Sequence, residues 1–364
     1  MTCAAASRRA QGTGSLRLGA AFVAKFMPGR VRAAARACRG RVLTPRLPLR
    51  RNQVAYISEP TWGNHKNIFG DERVEWRTYR YFDPKTVGLD FDGARGAAPT
   101  LARPSPKPRA GADAPPAPLR RACAGLMADL RAAPEGSVVV LHGCAHNPTG
   151  VDPSVAQWTA IAELCVARRL VPFFDVAYQG FATGDLEGDA AAPRLFAAKG
   201  LELFVAQSYS KNLGLYAERI GALNLLTADA GAAGRALSQL KRIARAQYSN
   251  PPVHGARLVA EILNDPQLFA AWKAELAGMA GRIKAVRQQL HEALQRLAPE
   301  RDWSFVVKQI GMFSFTGLTP PQVENMIGKH HIYMTKDGRI SLAGLNSAKV
   351  EYVAAAMVDS ARNC

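Results

Sequence analysis

Several polar residues able to do chemistry stand where apolar, strand-like runs end. Asp175 closes the run LVPFFD, with Tyr178 three residues further on. Asn147 follows SVVVLH in the turn His146-Asn147-Pro148-Thr149-Gly150, and Ser208 and Lys211 follow LFVAQ. An acid, an amide and a lysine at the ends of neighbouring strands could converge in one pocket. A lysine among apolar walls loses its charge more readily, because desolvation disfavours the ammonium. The neutral amine is then a nucleophile able to form a Schiff base. A buried acid could hold a ring nitrogen protonated, the condition under which pyridoxal phosphate acts as an electron sink. Each residue also has a plainer reading: a loop lysine is usually solvated, and an Asp after a strand usually caps a helix or shapes a turn. Spacing alone does not name the cofactor.

The elements that must position these residues are legible. Ser137–His142, Leu170–Val176, Leu203–Gln207 and Ile220–Leu226 read as strands, and Val155–Arg168 has helical spacing. Such alternation implies an α/β fold with a mainly parallel sheet flanked by helices. Beyond residue 228 the pattern turns helical, over Ala230–Arg245 and Gly255–Leu297, with a break near Asn264-Asp265. The last segment reads as a small α+β unit. It has strands near Phe313–Phe315, Ile332–Thr335 and Ile340–Ala343, a helix near Pro321–Ile327 and a closing helix.

The net charge of +18 invites a nucleic-acid reading, so its location matters. Residues 31–53 hold seven arginines and no acid, and residues 94–124 hold six basic residues and Asp113, so these stretches carry 12 of the 18 charges. Neither contains an aromatic residue, whereas a nucleic-acid groove interleaves the two. They read as solvated basic segments, with 94–124 a disordered Pro/Ala/Arg-rich loop. No run approaches the roughly 18 apolar residues that a membrane-spanning helix needs. The six cysteines show no metal-type spacing and read as free thiols in a reducing compartment. The first 53 residues, without an acid, have the composition of an organellar transit peptide. Gly12-Thr13-Gly14-Ser15 precedes the helical run Leu16–Phe26, and amides at a helix start can bind phosphate. It is neither a Walker A loop nor a dinucleotide fingerprint, since Arg17 stands where a third glycine belongs.

Longer motifs carry a resemblance. PTWGNH (60–65), HGCAHNPTG (142–150), FFDVAYQGF (173–181), VAQSYSKNLGLYAERIG (205–221), YSNPPVHGAR (248–257), QIGMFSFTGL (309–318) and YMTKDGRISLAGL (333–345) closely resemble the aspartate aminotransferases. The match is near-continuous over 55–93 and 125–361, and its wording is most like the plant cytosolic and plastid forms. The resemblance implies fold type I, pyridoxal 5'-phosphate as cofactor, no metal, and a homodimer whose sites borrow residues from both subunits. It implies exchange of an amino group between L-aspartate and 2-oxoglutarate, giving oxaloacetate and L-glutamate. Lys211 would carry the cofactor and shuttle the proton, Asp175 would pair with its ring nitrogen, and Tyr178 and Asn147 would bond its ring oxygen. Trp62 would stack on the ring. Ser208, Arg219 and the Gly12-Thr13 turn would hold the phosphate. Arg339 would clamp the substrate α-carboxylate, and Arg245 would reach the distal carboxylate from the partner subunit. An arginine fork suits a carboxylate through two parallel hydrogen bonds. His65, His142 and His146 read as core or supporting residues.

The resemblance also divides the chain. Residues 1–30 would begin the large domain, 54–93 and 125–270 would continue it, and 271–364 would form the long helix and small domain. Residues 31–53 and 94–124 have no counterpart in the family; the second would interrupt a helix running from Asp92 toward Leu126. The family region preceding the glycine turn is expected to be absent, Gln11 replaces a small phosphate-binding residue, and residues 1–30 would not be a targeting signal. Expectations of lesser reach follow: a broader aromatic and dicarboxylic aminotransferase, or an inactive, non-dimerising paralogue or truncated gene product with retained intron sequence. A cytoplasmic location is expected, with the plastid as alternative; neither nucleic acid nor membrane is an expected partner.

Overall fold

The computed structural model describes residues 2–6, 12–27, 53–92 and 125–363, with backbone alone for 2–6 and 12. The two basic stretches therefore lie outside the described residues, apart from Gln53. The strands are β1 (Thr2–Ala6), β2 (Val54–Glu59), β3 (Glu75–Arg80), β4 (Phe82–Asp83), β5 (Gly88–Leu89), β6 (Val138–His142), β7 (Val171–Val176), β8 (Leu203–Ser208), β9 (Gly221–Thr227), β10 (Phe313–Phe315) and β11 (Arg339–Ser341). The helices are α1 (Gly12–Phe26), α2 (Asn64–Asp71), α3 (Leu126–Ala132), α4 (Val155–Arg168), α5 (Leu186–Asp189), α6 (Ala191–Ala198), α7 (Ala230–Tyr248), α8 (His254–Asn264), α9 (Pro266–Leu297), α10 (Phe305–Lys308), α11 (Pro320–Gly328) and α12 (Val350–Asn363).

Seven strands form one sheet in the order β1-β9-β8-β7-β6-β2-β3. The pairs from β8 to β3 are parallel, while β9 runs antiparallel to β8 and to β1. The expected mainly parallel sheet is thus present, with an antiparallel margin. Strand β1 has no counterpart in the sequence reading, which saw only an Ala/Arg-rich stretch there.

The central strands β6 and β7 are buried on both faces, so they read as continuous apolar runs, and their alternation decides which helix layer each side chain meets. Val138, Val140 and Phe173 join one core with α1, α2 and α7, whereas Val139, Leu141 and Phe174 join the other with α3, α4 and α6. Helix α1 lies on the sheet because Gly19 offers no side chain: a Cβ there would come within 2.4 Å of the Phe173 ring. Ala20 and Ala21 are both fully buried as well. Helix α4 starts at a capping box in which the Ser154 hydroxyl accepts from Gln157 N and the Gln157 side chain accepts from Ser154 N. The break expected near Asn264-Asp265 is the Asp265 cap of α9, whose carboxylate accepts from Gln267 N and Leu268 N.

A further core gathers the end of α9 with α11, α12 and Trp303. The antiparallel ladder β10–β11 sets Phe315 opposite Arg339. One expectation needs correction here. Residues Ile332–Thr335 form no strand, because they run beside no free ladder; Thr335 N donates to Arg339 O as a turn and Ile332 N donates back to Met326 O. Asp92 lies in a bend, and helical residues are described only from Leu126. Leu126 N and Met127 N donate to Asp90 O and Phe91 O, so the chain on either side of residues 93–124 is joined directly.

Candidate active site

The carboxyl ends of β6, β7 and β8 bring the polar residues together, with His142 opposite Asp175 and Asp175 opposite Ala206 in the ladders. A cavity of about 170 Å³ opens there, far more than the ~15 Å³ that one water requires. Its wall includes Asp175, Tyr178, Asn147, Trp62 and Lys211. A second group comprises Thr13, Ser208, Ser210 and Arg219, with Leu16, Ala177 and Tyr216 completing the lining. Thr13 and Leu16 are in the first turns of α1, so the amino end of that helix, the positive end of its dipole, borders the cavity.

Lys211 follows the end of β8, partly buried, with its Nζ 5.0 Å from the centre of the Tyr178 ring. Burial lowers its pKa and the Arg219 charge adds to that, while Asp175 opposes it; the outcome is a lysine easier to deprotonate than usual. Asp175 shows the reverse balance. Burial alone would raise its pKa, but the His65 hydrogen bond and the nearby Lys211 charge hold it below the ordinary carboxylate value. Burial pushes the Tyr178 hydroxyl well above the usual phenol range, with the Asp175 charge adding to the effect.

A chain of hydrogen bonds orients Asp175. Its Oδ2 lies 3.1 Å from His65 Nε2, and a carboxylate only accepts, so Nε2 carries the proton. His65 Nδ1 lies 2.8 Å from Thr61 Oγ1, which lies 3.2 Å from His142 Nε2. Asn147 N donates to His142 Nδ1 at 3.4 Å. One assignment satisfies every link: His142 Nε2–H donates to Thr61, and the Thr61 hydroxyl donates to His65. It requires a neutral His142, and burial together with the neighbouring His146 and His65 lowers the His142 pKa strongly. The three histidines are thus supporting residues, as expected, and His65 touches the acid itself. No cluster of metal-ligating side chains occurs among the described residues.

Asn147 joins the cavity wall to Arg339, which lies outside that lining. Its Nδ2 donates to the Tyr178 hydroxyl at 3.1 Å, and its Oδ1 accepts from Arg339 Nη1 at 3.0 Å. The Arg339 guanidinium lies 4.7 Å from the centre of the Phe313 ring. Arg245 is not brought in: it is exposed on α7 and donates to Ser249 Oγ. Gly12 begins α1. The sequence reading missed Ser210 and Tyr216. The Ser-Tyr-Ser spacing around Tyr209 could have suggested Ser210, whereas nothing local distinguishes Tyr216.

Known proteins resemble this chain in sequence and fold. The profile of the aminotransferase class I and II family matches residues 10–103 and 122–357. The chloroplastic aspartate aminotransferase of Arabidopsis thaliana is 53% identical over 353 residues, covering 97% of this chain and 66% of its own length. The mitochondrial aspartate aminotransferase P2 of Lupinus angustifolius is 54% identical over 350 residues, covering 96% and 65% respectively. This chain therefore spans just under two thirds of the length of these two relatives. The aromatic-amino-acid aminotransferase of Burkholderia pseudomallei, solved covalently bound to pyridoxal phosphate, superposes with a TM-score of 0.80 at 40% identity, covering 97% of this chain and 74% of that one. With a profile spanning most of its residues and more than half of them identical to a curated relative, the chain belongs to the class I and II aminotransferase family.

Proposed function

We propose that this protein is an aspartate aminotransferase, exchanging an amino group between L-aspartate and 2-oxoglutarate to give oxaloacetate and L-glutamate, with pyridoxal 5'-phosphate as cofactor. The observation that carries the reading is a lysine inclined to lose its proton in one cavity with a buried aspartate that keeps its charge. The names of the plant relatives support the dicarboxylic substrates, and the cofactor in the Burkholderia structure supports the rest.

The residues fit the cofactor. Asp175 offers a negative charge for a protonated ring nitrogen, and Trp62 offers an aromatic face. The Tyr178 hydroxyl accepts from Asn147 and keeps its own proton, so it is free to donate to a ring oxygen. Thr13, Ser208, Ser210 and Arg219 supply hydroxyls and a cation for a phosphate at the amino end of α1. Bound there, pyridoxal phosphate supplies the sink for the electron pair left when a proton leaves the substrate α-carbon. Lys211 Nζ, whose burial favours the neutral amine, would be the group placed to take that proton. Arg339, steadied by Asn147 Oδ1, presents its remaining N–H groups to the substrate α-carboxylate. Arg245 serves a second copy of the chain, binding the distal carboxylate in a homodimer; its exposure on α7, away from the cavity of its own chain, supports this.

Two finer readings accompany the activity. The large domain is proposed to end at residue 270, within α9, with 271–364 forming the rest of that helix and the small domain; the packing of Val286 to Leu294 against the terminal helix supports this. For the compartment, the cytoplasm is proposed with the plastid as alternative, to be settled by imaging a fluorescent fusion; likeness to a chloroplast-named relative supports the alternative.

The test is the absorbance spectrum of the purified protein with added pyridoxal phosphate. A visible band that changes on adding aspartate, and is missing in Lys211→Ala, is expected. No band in the unaltered protein overturns the reading in favour of an inactive or non-dimerising paralogue. Equal rates with phenylalanine and aspartate would replace it with the broader specificity suggested by likeness to an aromatic aminotransferase.

A further inference from the structure

We infer that Asp152 is a positioning residue for the amino-group exchange, holding the turn that aims Asn147 at both Tyr178 and Arg339. The inference rests on the proposed function for its meaning in catalysis. Asp152 Oδ2 accepts from Ala145 N at 2.6 Å and Oδ1 accepts from His146 N at 2.8 Å. Both oxygens of one carboxylate are thereby spent on consecutive backbone amides. Ala145 has φ +47°, the left-handed region that disfavours a Cβ. Successive amides around such a residue form a concavity that suits an anion, and Asp152 fills it from within the chain. The conformation costs about 1 kcal/mol and persists only where its surroundings impose it.

The turn has little room to settle elsewhere. Gly150 N donates to His146 O at 2.7 Å, Ile310 N donates to Gly150 O at 2.8 Å, and the Tyr81 hydroxyl donates to Val151 O at 2.7 Å. Ala145 also abuts Gly311, where a Cβ would come within 2.5 Å of the Ala145 Cβ. Asn147 is the residue directly after the second clamped amide. Its side chain is hydrogen-bonded both to the hydroxyl proposed to face the cofactor oxygen and to the guanidinium proposed to hold the substrate. A displacement of about 1 Å at such a group costs on the order of 100-fold in rate. Asp152 touches neither ligand and acts through Asn147.

The test compares the full-length protein with Asp152→Asn and Asp152→Ala. Asn keeps the shape and one acceptor, so it controls for folding. Expected are a rise of about tenfold in KM for aspartate in Asp152→Asn, a larger one in Asp152→Ala, and a shift of about one unit in the midpoint of the absorbance titration of the lysine-bound cofactor. A merely structural role would lower the melting temperature and leave KM and the midpoint alone, which would overturn the inference. Crystal structures of the unaltered protein and Asp152→Asn, both without cofactor, decide it independently of activity. Loss of either Asn147 hydrogen bond in the variant supports it, and retention of both overturns it. Loss of folding in both variants also overturns it. If the unaltered protein gives no aspartate-responsive band, the proposed activity fails while the crystal comparison still tests the turn.

Discussion

Replacing Asp175 by Asn separates the acid's work on the cofactor from its work in the fold. The side chain is nearly isosteric, and its amide oxygen can still accept from His65 Nε2, now 3.1 Å from Asp175 Oδ2. What disappears is a buried negative charge facing the ring nitrogen. A charge-assisted hydrogen bond is worth about 1.5–3 kcal/mol, so the dissociation constant of pyridoxal phosphate should rise by a factor of roughly 10 to 150. Stability should respond less, with a definite sign. The folded-state pKa of Asp175 lies below its unfolded value, so its contribution is present above the ordinary carboxylate pKa and is lost as pH falls through the folded one. The variant should therefore melt slightly lower than the unaltered apoprotein at neutral pH, and the difference should vanish in strong acid. The assay is titration of apoprotein with pyridoxal phosphate, followed by fluorescence of Trp62 at the cavity wall, beside thermal melts across pH. An affinity within threefold of the unaltered protein would refute the assignment of Asp175 to the ring nitrogen.

Lys211 in the apoprotein should react with an aldehyde along a pH curve whose midpoint lies below the ordinary lysine value. Arg219→Ala should move the midpoint up and Asp175→Asn should move it down, since those charges act in opposite directions; a midpoint at or above the ordinary value refutes the burial argument. Arg339→Lys forfeits the planar fork, so KM for aspartate should rise by about 10-fold or more while cofactor affinity holds; an unchanged KM in steady-state kinetics removes Arg339 from the substrate. Gly19→Val forces a side chain against Phe173 and should cost about 1–3 kcal/mol in chemical denaturation; full stability would mean that α1 can lift off the sheet. Excising residues 94–124 with a short Gly-Ser join should leave the fold intact and stabilise it by up to ~2 kcal/mol through a shorter loop, because Asp90 and Leu126 are already hydrogen-bonded. An insoluble product in an expression and melting assay would show that the excised residues take part in the fold.

What was legible in the sequence was mostly local. Val155–Arg168 was legible because its apolar residues recur at helical spacing within one short stretch. The strands β6, β7 and β8 were readable because strands buried on both faces are written as unbroken apolar runs. The misread segment Ile332–Thr335 has strand-like residues, but a strand exists only with a partner, and its pairing is not a local property. Strand β1 was missed for the converse reason: five residues rich in alanine carry little propensity, and pairing with β9 defines them.

The same division runs through the site. By itself the sequence determined the reactive inventory: Lys211, Asp175, Tyr178 and Asn147 stand just at or beyond strand ends, and a parallel sheet gathers strand ends on one edge whatever the details of its packing. Only the tertiary structure decided how those residues are held. Asp175 keeps its charge because His65, 110 positions earlier, meets it. Asn147 is aimed because Arg339, 192 positions later, donates to it and because Asp152 clamps the turn behind it. Arg245 stays outside the cavity of its own chain for the same kind of reason, since α7 carries it on an exposed face. Spacing along a chain constrains neighbours within a turn or a strand; the direction of a hydrogen bond and the balance between desolvation and a nearby charge depend on atoms that meet only after the chain has closed on itself.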